Sequence, residues 1–399
     1  MAIDWASAFA GRVADRGDAE ITAILAGVPE GVLSMTGGFP NPRTFPSAAL
    51  DELVAQILRD DAATALQYAP SEGLPSVREF LRDRVEALQG RRPEPDELIV
   101  TSGGMECLTL MAQALLDPGD AVVVEAPTYL GALTAFRGYA PQLHAIPMDD
   151  NGMLVDALAD RLDGGLRPKF VYTIPEFQNP SGRTLALERR EALVELCRRH
   201  RVPILEDIAY REIAFDGTNL PSLWTLAPDV VVQAGTFSKI FCPGVRLGWA
   251  AGPAAIVQQL AGAKQTTDQC ASAFAQRLVE AYGRAGHFDQ AIPAARELYG
   301  SAWRTVERAL RAEMPDGVTW SVPTGGFFTW LDLPEGVDTV AMRAAAIEAG
   351  VAYVAGTPFH LDGAGPNTLR LSFSYLPEED LPEAIRRLGG VVTDAIAAG

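Results

Sequence analysis

Cysteine is scarce in this 399-residue chain: Cys107, Cys197, Cys242 and Cys270 are the only four, and no two form a CxxC pair. A chain this long buries enough surface to need no covalent staples, so a disulfide framework or a zinc ribbon is not expected. The four histidines, at positions 144, 200, 287 and 360, fall into no HExxH or other metal-ligand spacing. There is no GxSxG elbow, no GxxxxGK[ST] and no GxGxxG, which removes the signals for serine hydrolysis and for the common nucleotide folds. No apolar run reaches the ~18 residues of a membrane span. The first twenty residues carry Asp4 and no long apolar stretch, unlike a secretory signal. Positive charge is also short, with 33 Lys+Arg against 51 Asp+Glu and a formal net charge of −18. Such a surface repels phosphate backbones and anionic lipid, so neither nucleic acid nor membrane is an expected partner. What remains is a soluble cytoplasmic protein with reduced thiols.

What is present is alternation. Apolar runs that end in turn signals occur at 97–104, 121–127, 169–175, 202–210 and 229–239. Such runs suit strands buried on both faces of a parallel sheet. Helical patterns lie between them at Met105–Leu116, Tyr129–Gly138 and Leu187–His200. Strand alternating with helix predicts an α/β fold with crossover connections. After about residue 286 the pattern changes to a long helix at Gln290–Glu313, short strands, and a helix near Thr339–Ala349. The expected organisation is an N-terminal segment (1–45) packing with a small α+β domain (287–399), and a large domain at 46–286.

In open α/β sheets ligands bind beyond the carboxyl ends of the strands. Those ends carry the reactive residues here. Lys239, in GTFSKIFCPGVRLGW, follows an apolar strand and could form a Schiff base with an aldehyde. Thr236, Ser238 and Arg246 around it could hold a phosphate dianion; a solvated loop lysine is the plain alternative. Asp207 ends the buried run VPILED and needs a partner, either a protonated ring nitrogen or a helix N-terminus that it caps. Tyr210 could bond a phenolic oxygen or fill the core. Gly103, Gly104 and Met105 open a helix whose backbone N–H groups could meet a phosphate. Tyr129 could stack on a planar ring. Asn179 lies in PEFQNPSG, where turn formation alone explains an Asn-Pro pair. Arg370, between Leu369 and Leu371 in an alternating strand, could clamp a carboxylate or form a surface salt bridge.

Together the motifs GGFPNPRTFP, LQYAPSEGLPSVREFL, EAPTYLGALTAF, IPEFQNPSG, EDIAYRE, GTFSKIFCPGVRLGW, PTGGFFTWLDLP and GPNTLRLSFS resemble the fold-type-I pyridoxal-phosphate enzymes, class I/II aminotransferases. Within these the chain looks most like the 2-aminoadipate/kynurenine branch, over nearly its whole length. The resemblance implies a large domain with a mostly parallel, seven-stranded type of sheet flanked by helices, plus a smaller α+β domain. It implies pyridoxal 5′-phosphate carried on Lys239, with Asp207 on the ring nitrogen, Tyr210 and Asn179 on the phenolic oxygen, and Tyr129 stacked on the ring. It assigns the phosphate to Thr236, Ser238, Arg246 and the backbone at Gly103, Gly104 and Met105, and the substrate α-carboxylate to Arg370, Gly38 and Asn179. Tyr68 would reach the partner's phosphate in a homodimer. Catalysis would fall to Lys239, Asp207 and Tyr129, moving an amino group between an amino acid and a 2-oxo acid.

Two departures matter. Gly104-Met105 stands where the family often has Ser-Gln, leaving only backbone donors at that place. Ile21, in GDAEITAIL, stands about where the branch carries an arginine that reads a distal carboxylate. With Ile24, Phe39, Phe327 and Phe328 near it, a neutral, bulky or aromatic side chain is the expected substrate. A basic side chain drawn by Asp15, Asp18 and Glu20 comes second, and Arg16 or Arg43 could replace the missing arginine. Elimination, substitution, cyclisation or oxidation on the same cofactor is the close rival reaction. A non-catalytic effector-binding module is the distant rival, disfavoured by the acidic charge and the lack of room before residue 40 for a DNA-binding domain.

Overall fold

The computed structural model describes residues 3–14 and 19–398. Its large sheet has eight strands: β1 (Leu98–Thr101), β2 (Ala121–Ala126), β3 (Gln142–Asp149), β4 (Gly152–Met153), β5 (Val171–Thr173), β6 (Ile204–Asp207), β7 (Val231–Thr236) and β8 (Gly248–Ala251). Their spatial order is β1-β8-β7-β6-β5-β2-β3-β4. The run from β7 to β3 is parallel. β8 lies antiparallel between β1 and β7, and β4 pairs antiparallel with β3 at the far edge. β1, β5 and β6 are buried throughout, and β2 and β7 all but at their ends, which is why their sequences read as continuous apolar runs. Two strands lack that signal. β3 is partly exposed and contains Pro147, and β8 is Gly-Trp-Ala-Ala, too short and small to stand out. β4 adds an eighth, two-residue strand to the seven-stranded type expected.

Helices Gly104–Leu115, Leu130–Arg137 and Leu187–His200 follow strands of this sheet, close to their expected spans. A smaller antiparallel sheet joins strands Thr319–Trp320, Phe328–Asp332, Thr368–Ser372 and Val354–Ala355, in that order. The helix Phe288–Glu313 bridges the two cores: Phe288, Ile292 and Tyr299 pack with the large sheet, while Trp303, Val306 and Leu310 pack with the small one. The helix expected near Thr339–Ala349 shortens to Arg343–Glu348. Thr339 is drawn to the sheet instead, its hydroxyl donating to the Thr368 carbonyl and its N–H to that of Pro366, both at 2.8 Å. Leu33–Ser34 pairs in parallel with Val351–Ala352, which carries the following Thr36–Phe39 segment across the ends of the large sheet. Among the described residues no helix is long and apolar enough to cross a membrane.

Candidate active site

The carboxyl ends of the parallel strands converge on one cavity. Asp207 is the last residue of β6 and Thr236 the last of β7. Tyr129 and Asn179 sit in the loops after β2 and β5. These four, with Gly104, Met105, Tyr210, Ser238, Lys239 and Arg246, line a space of about 280 Å³. A second space of about 160 Å³ shares Tyr129, Asn179, Tyr210 and Lys239, and continues to Ile21, Ile24, Gly38, Leu130, Phe328 and Arg370.

One wall is a donor cup. The Thr236 hydroxyl donates to Ser238 Oγ at 3.0 Å, and Arg246 Nη1 donates to the same oxygen at 3.3 Å. Arg246 adopts a left-handed backbone, φ +48°, which turns its side chain back toward the strand ends. Gly103 has φ +90°, and a Cβ there would meet Arg246 Nη2 at 2.6 Å, so only glycine leaves the guanidinium its place. The next turn begins helix Gly104–Leu115, whose free N–H groups face the cup. The Met105 sulfur meets the Tyr129 hydroxyl at 3.6 Å.

Lys239 stands opposite. Its Nζ donates to the Gly38 carbonyl at 2.8 Å, and among the described residues no carboxylate pairs with it. Burial lowers its pKa to about 8; Asp207 opposes that shift, while Arg370 and Arg246 add to it. Asp207 is buried, and desolvation raises its pKa to about 6. Two donors restrain that rise: the Ala209 N–H at 3.1 Å and the Tyr172 hydroxyl at 3.0 Å. Asp207 therefore ends a strand beside a tight turn and caps no long helix. It is ionised at neutral pH and could hold a protonated ring nitrogen.

Arg370 faces away from Leu369 and Leu371, which lie in the small-domain core. Its guanidinium carbon lies 4.3 Å from the ring centre of Phe328 and 5.1 Å from that of Phe359. Nη1 donates to Asn179 Oδ1 at 2.8 Å, Nη2 donates to the Thr36 carbonyl, and Nε is buried without a partner. Such an arginine could receive a carboxylate. Gly38 belongs beside it: a Cβ there would strike the Phe328 ring at 2.4 Å.

Tyr68 is the expected site residue the single chain keeps away from the cavity; it is 79% exposed. Phe327 packs behind Tyr210, with ring centres 5.5 Å apart, and leaves Phe39 and Phe328 as the lining phenylalanines. Arg43 is exposed, and Asp15, Arg16 and Asp18 lie outside the described residues. Sequence reasoning missed Tyr172, Phe359, Thr36, and the pair Glu125–Gln178. Gln178 Nε2 donates to Glu125 at 3.0 Å and to the Pro127 carbonyl at 2.8 Å, bracing the loop that carries Asn179. Glu125 was findable, because it is a carboxylate near the end of a buried apolar strand, much as Asp207 is. Tyr172 sits inside an apolar run and carries no such mark.

The family model described as aminotransferase class I and II matches residues 39–388. The chain belongs to that family. It is 40% identical over 372 residues to aromatic-amino-acid aminotransferase 1 of Thermococcus litoralis, covering 91% of this chain and 88% of that one. The multiple substrate aminotransferase from Thermococcus profundus superposes with a TM-score of 0.95 at 36% identity, covering 100% of both chains. The alpha-aminoadipate aminotransferase from Thermus thermophilus, complexed with N-(5′-phosphopyridoxyl)-L-leucine, gives 0.93 at 35% identity, again over 100% of both. The fold is thus the fold-type-I aminotransferase fold, and the enzyme is a pyridoxal-phosphate transaminase. Non-transaminating chemistry on that cofactor and a non-catalytic module are not favoured. The donor set of the aminotransferase fits its cofactor: a cup of two hydroxyls, an arginine and a helix N-terminus for a dianion, a carboxylate for a ring nitrogen, and an amine for an aldehyde.

Proposed function

We propose that the enzyme transfers the amino group of a neutral, bulky or aromatic L-amino acid to a 2-oxo acid, with the residues of this cavity in the following roles. Thr236, Ser238, Arg246 and the backbone at Gly103, Gly104 and Met105 hold the cofactor phosphate. Lys239 carries the cofactor, Asp207 keeps its ring nitrogen protonated, Tyr210 and Asn179 bond its phenolic oxygen, and Tyr129 covers its ring. When bound, pyridoxal phosphate supplies the aldehyde that takes up the amino group and a ring that stores an electron pair. Arg370, with Asn179 and the Gly38 backbone, binds the substrate carboxylate and so orients Cα. Lys239 Nζ, once free, takes the Cα proton; its low pKa keeps a useful share of the amine unprotonated near neutral pH. The donor product leaves before the acceptor enters.

The observation that carries this reading is the placement of the Lys239 amine and the Arg370 guanidinium on one cavity whose remaining lining carries no charge and, apart from Asn179, Tyr129 and Tyr210, no polar side chain. Ile21, Ile24, Leu130, Phe39 and Phe328 offer no cation for a distal carboxylate. Glu20 offers no free anion either, since it pairs with Arg343 at 2.8 Å, which weakens the basic-substrate alternative. The relative bound to a phosphopyridoxyl-leucine adduct supports a leucine-sized side chain in such a site. With one fixed oxo acid, leucine, methionine or phenylalanine should exceed 2-aminoadipate and ornithine in kcat/KM. A tenfold advantage for 2-aminoadipate, roughly 1.4 kcal/mol, overturns the neutral-pocket reading. Amino acid alone should convert the cofactor of the holoenzyme stoichiometrically to its amine form.

We further read the enzyme as a cytoplasmic homodimer in amino acid metabolism, divided at 1–45, 46–286 and 287–399. Met35 joins the small-domain core, which supports grouping the first segment with it. Leu58, Leu66 and Tyr68 are exposed at 45%, 69% and 79%, an apolar surface suited to a second copy. If Tyr68 serves the partner's phosphate, mixing Lys239→Ala chains with Tyr68→Ala chains restores about a quarter of the activity, since only one site of each hybrid dimer is intact. No restoration, together with a fully active monomer at sedimentation equilibrium, contradicts the shared site.

A further inference from the structure

The roof of the side-chain cavity is the helix Ala19–Ala26, which contributes Ile21 and Ile24. Eight residues are too few to hold a helix by backbone bonds alone, so its seat depends on what it touches. Ile21 and Ile24 pack against a small apolar cluster, Leu130, Trp330, Val354 and Phe359, that joins the two domains. A polar tie lies beside them on the same helix, one turn before Ile24. Arg343 Nη2, at the start of helix Arg343–Glu348, donates to Glu20 Oε1 at 2.8 Å. The two side chains are only 33% and 17% exposed, so water screens the pair incompletely. Glu20 also lies near enough to Arg370 to oppose the loss of its proton. Behind Ile24 a separate space of about 170 Å³ is walled by Glu20, Arg343 and Tyr353, so Ile24 divides the substrate cavity from an ion pair.

We propose that the Glu20–Arg343 ion pair is a specificity-determining clasp that holds Ile21 and Ile24 over the substrate side chain. The pair does two things at once. It fastens a short helix to the small domain, and it cancels two charges that stand just behind the apolar roof, so that neither attracts a charged side chain. It acts through the two isoleucines and is a positioning pair. Its effect should therefore grow with the length of the side chain under the roof. The inference rests on the reading that the donor is a neutral amino acid.

The test compares the wild-type holoenzyme with Glu20→Gln, Arg343→Met and the double swap Glu20→Arg/Arg343→Glu. Donors are alanine, leucine, phenylalanine and 2-aminoadipate, with one fixed oxo acid. In the single variants KM for leucine and phenylalanine should rise about three- to tenfold with kcat nearly constant, and alanine should move less than about twofold. The swap should bring KM back to within about threefold of wild type. Amide exchange of residues 19–26 should quicken in the single variants and slow again in the swap, whatever the turnover. The clasp is overturned by equal losses on alanine and leucine, by a swap no better than the single variants, or by unchanged amide exchange. In Glu20→Gln the uncancelled Arg343 should also raise kcat/KM for 2-aminoadipate relative to leucine, and no relative gain overturns the charge-cancelling role. Failure of the wild type to turn over any donor sinks the transaminase reading instead, and the exchange measurement still judges the clasp.

Discussion

Lys239→Ala abolishes transamination, lowering kcat by at least about 10⁴-fold, and borohydride treatment of the holoenzyme labels Lys239 alone. The chain has three lysines, Lys169, Lys239 and Lys264, and their surroundings separate them. Lys264 is fully buried, but it is paired with Glu106 at 2.6 Å and with Asp268 at 2.9 Å. Lys169 is 44% exposed and pairs with Asp120 at 3.3 Å. Only Lys239 combines burial with a carbonyl partner, two arginines that repel a proton and a pKa near 8. An amine attacks an aldehyde only when unprotonated. Uptake of pyridoxal phosphate by the apoenzyme should thus quicken as pH rises through about 8 and then level off. Peptide mapping after reduction checks the site, and stopped-flow absorbance checks the pH profile. A label on Lys169 or Lys264, or a rate still climbing near the ~10.4 of an ordinary lysine, removes the assignment. The variant should keep part of its cofactor affinity, because the phosphate cup is untouched.

Arg370→Gln should cost about 10²- to 10³-fold in donor kcat/KM, or about 3–4 kcal/mol, with most of the loss in KM. The guanidinium lies between two aromatic faces, is pinned by Asn179 and Thr36, and has one buried N–H to spare. Burial lowers its pKa to about 10, which still leaves it cationic at neutral pH. A glutamine keeps a donor but loses the charge and the fork. Arg370→Lys should not rescue it, because an ammonium offers no flat face to stack between Phe328 and Phe359 and no paired donors for a carboxylate. Half-reaction titrations against leucine, with thermal melting as the folding control, check this. A lysine variant close to wild type, or a loss confined to kcat, removes the carboxylate-receptor role.

Much of the large domain was legible in the chain. Strands buried on both faces must be apolar along their whole length, so β2, β5, β6 and β7 announce themselves, and the polar residues that end them stand out against the run. Asp207, Thr236 and Lys239 were found that way. β3 and β8 were not, because a partly exposed strand near the sheet edge and a Gly-Ala strand are stabilised by pairing with neighbours more than by their own side chains. The cup at Arg246 was partly legible: the residue types showed, but its left-handed backbone and the space that Gly103 leaves for it are relations between two distant loops.

Local sequence determined the chemistry this protein carries: an amine, a carboxylate, two hydroxyls and two arginines, each at a strand end, in the loop that follows one, or on an alternating strand. Tertiary structure decided which of them meet and in what state. Tyr172 donates to Asp207 across two adjacent strands, 35 residues away in the chain. Arg370 reaches Thr36 and Asn179 from the small domain, 334 and 191 residues away. Glu20 finds Arg343 across 323 residues, and so ceases to be the free anion that its neighbourhood in the sequence suggests. The physical reason is the same in each case. Charge state and hydrogen-bond partner depend on desolvation and on groups within a few ångströms, and folding brings those groups together from segments that share no local pattern.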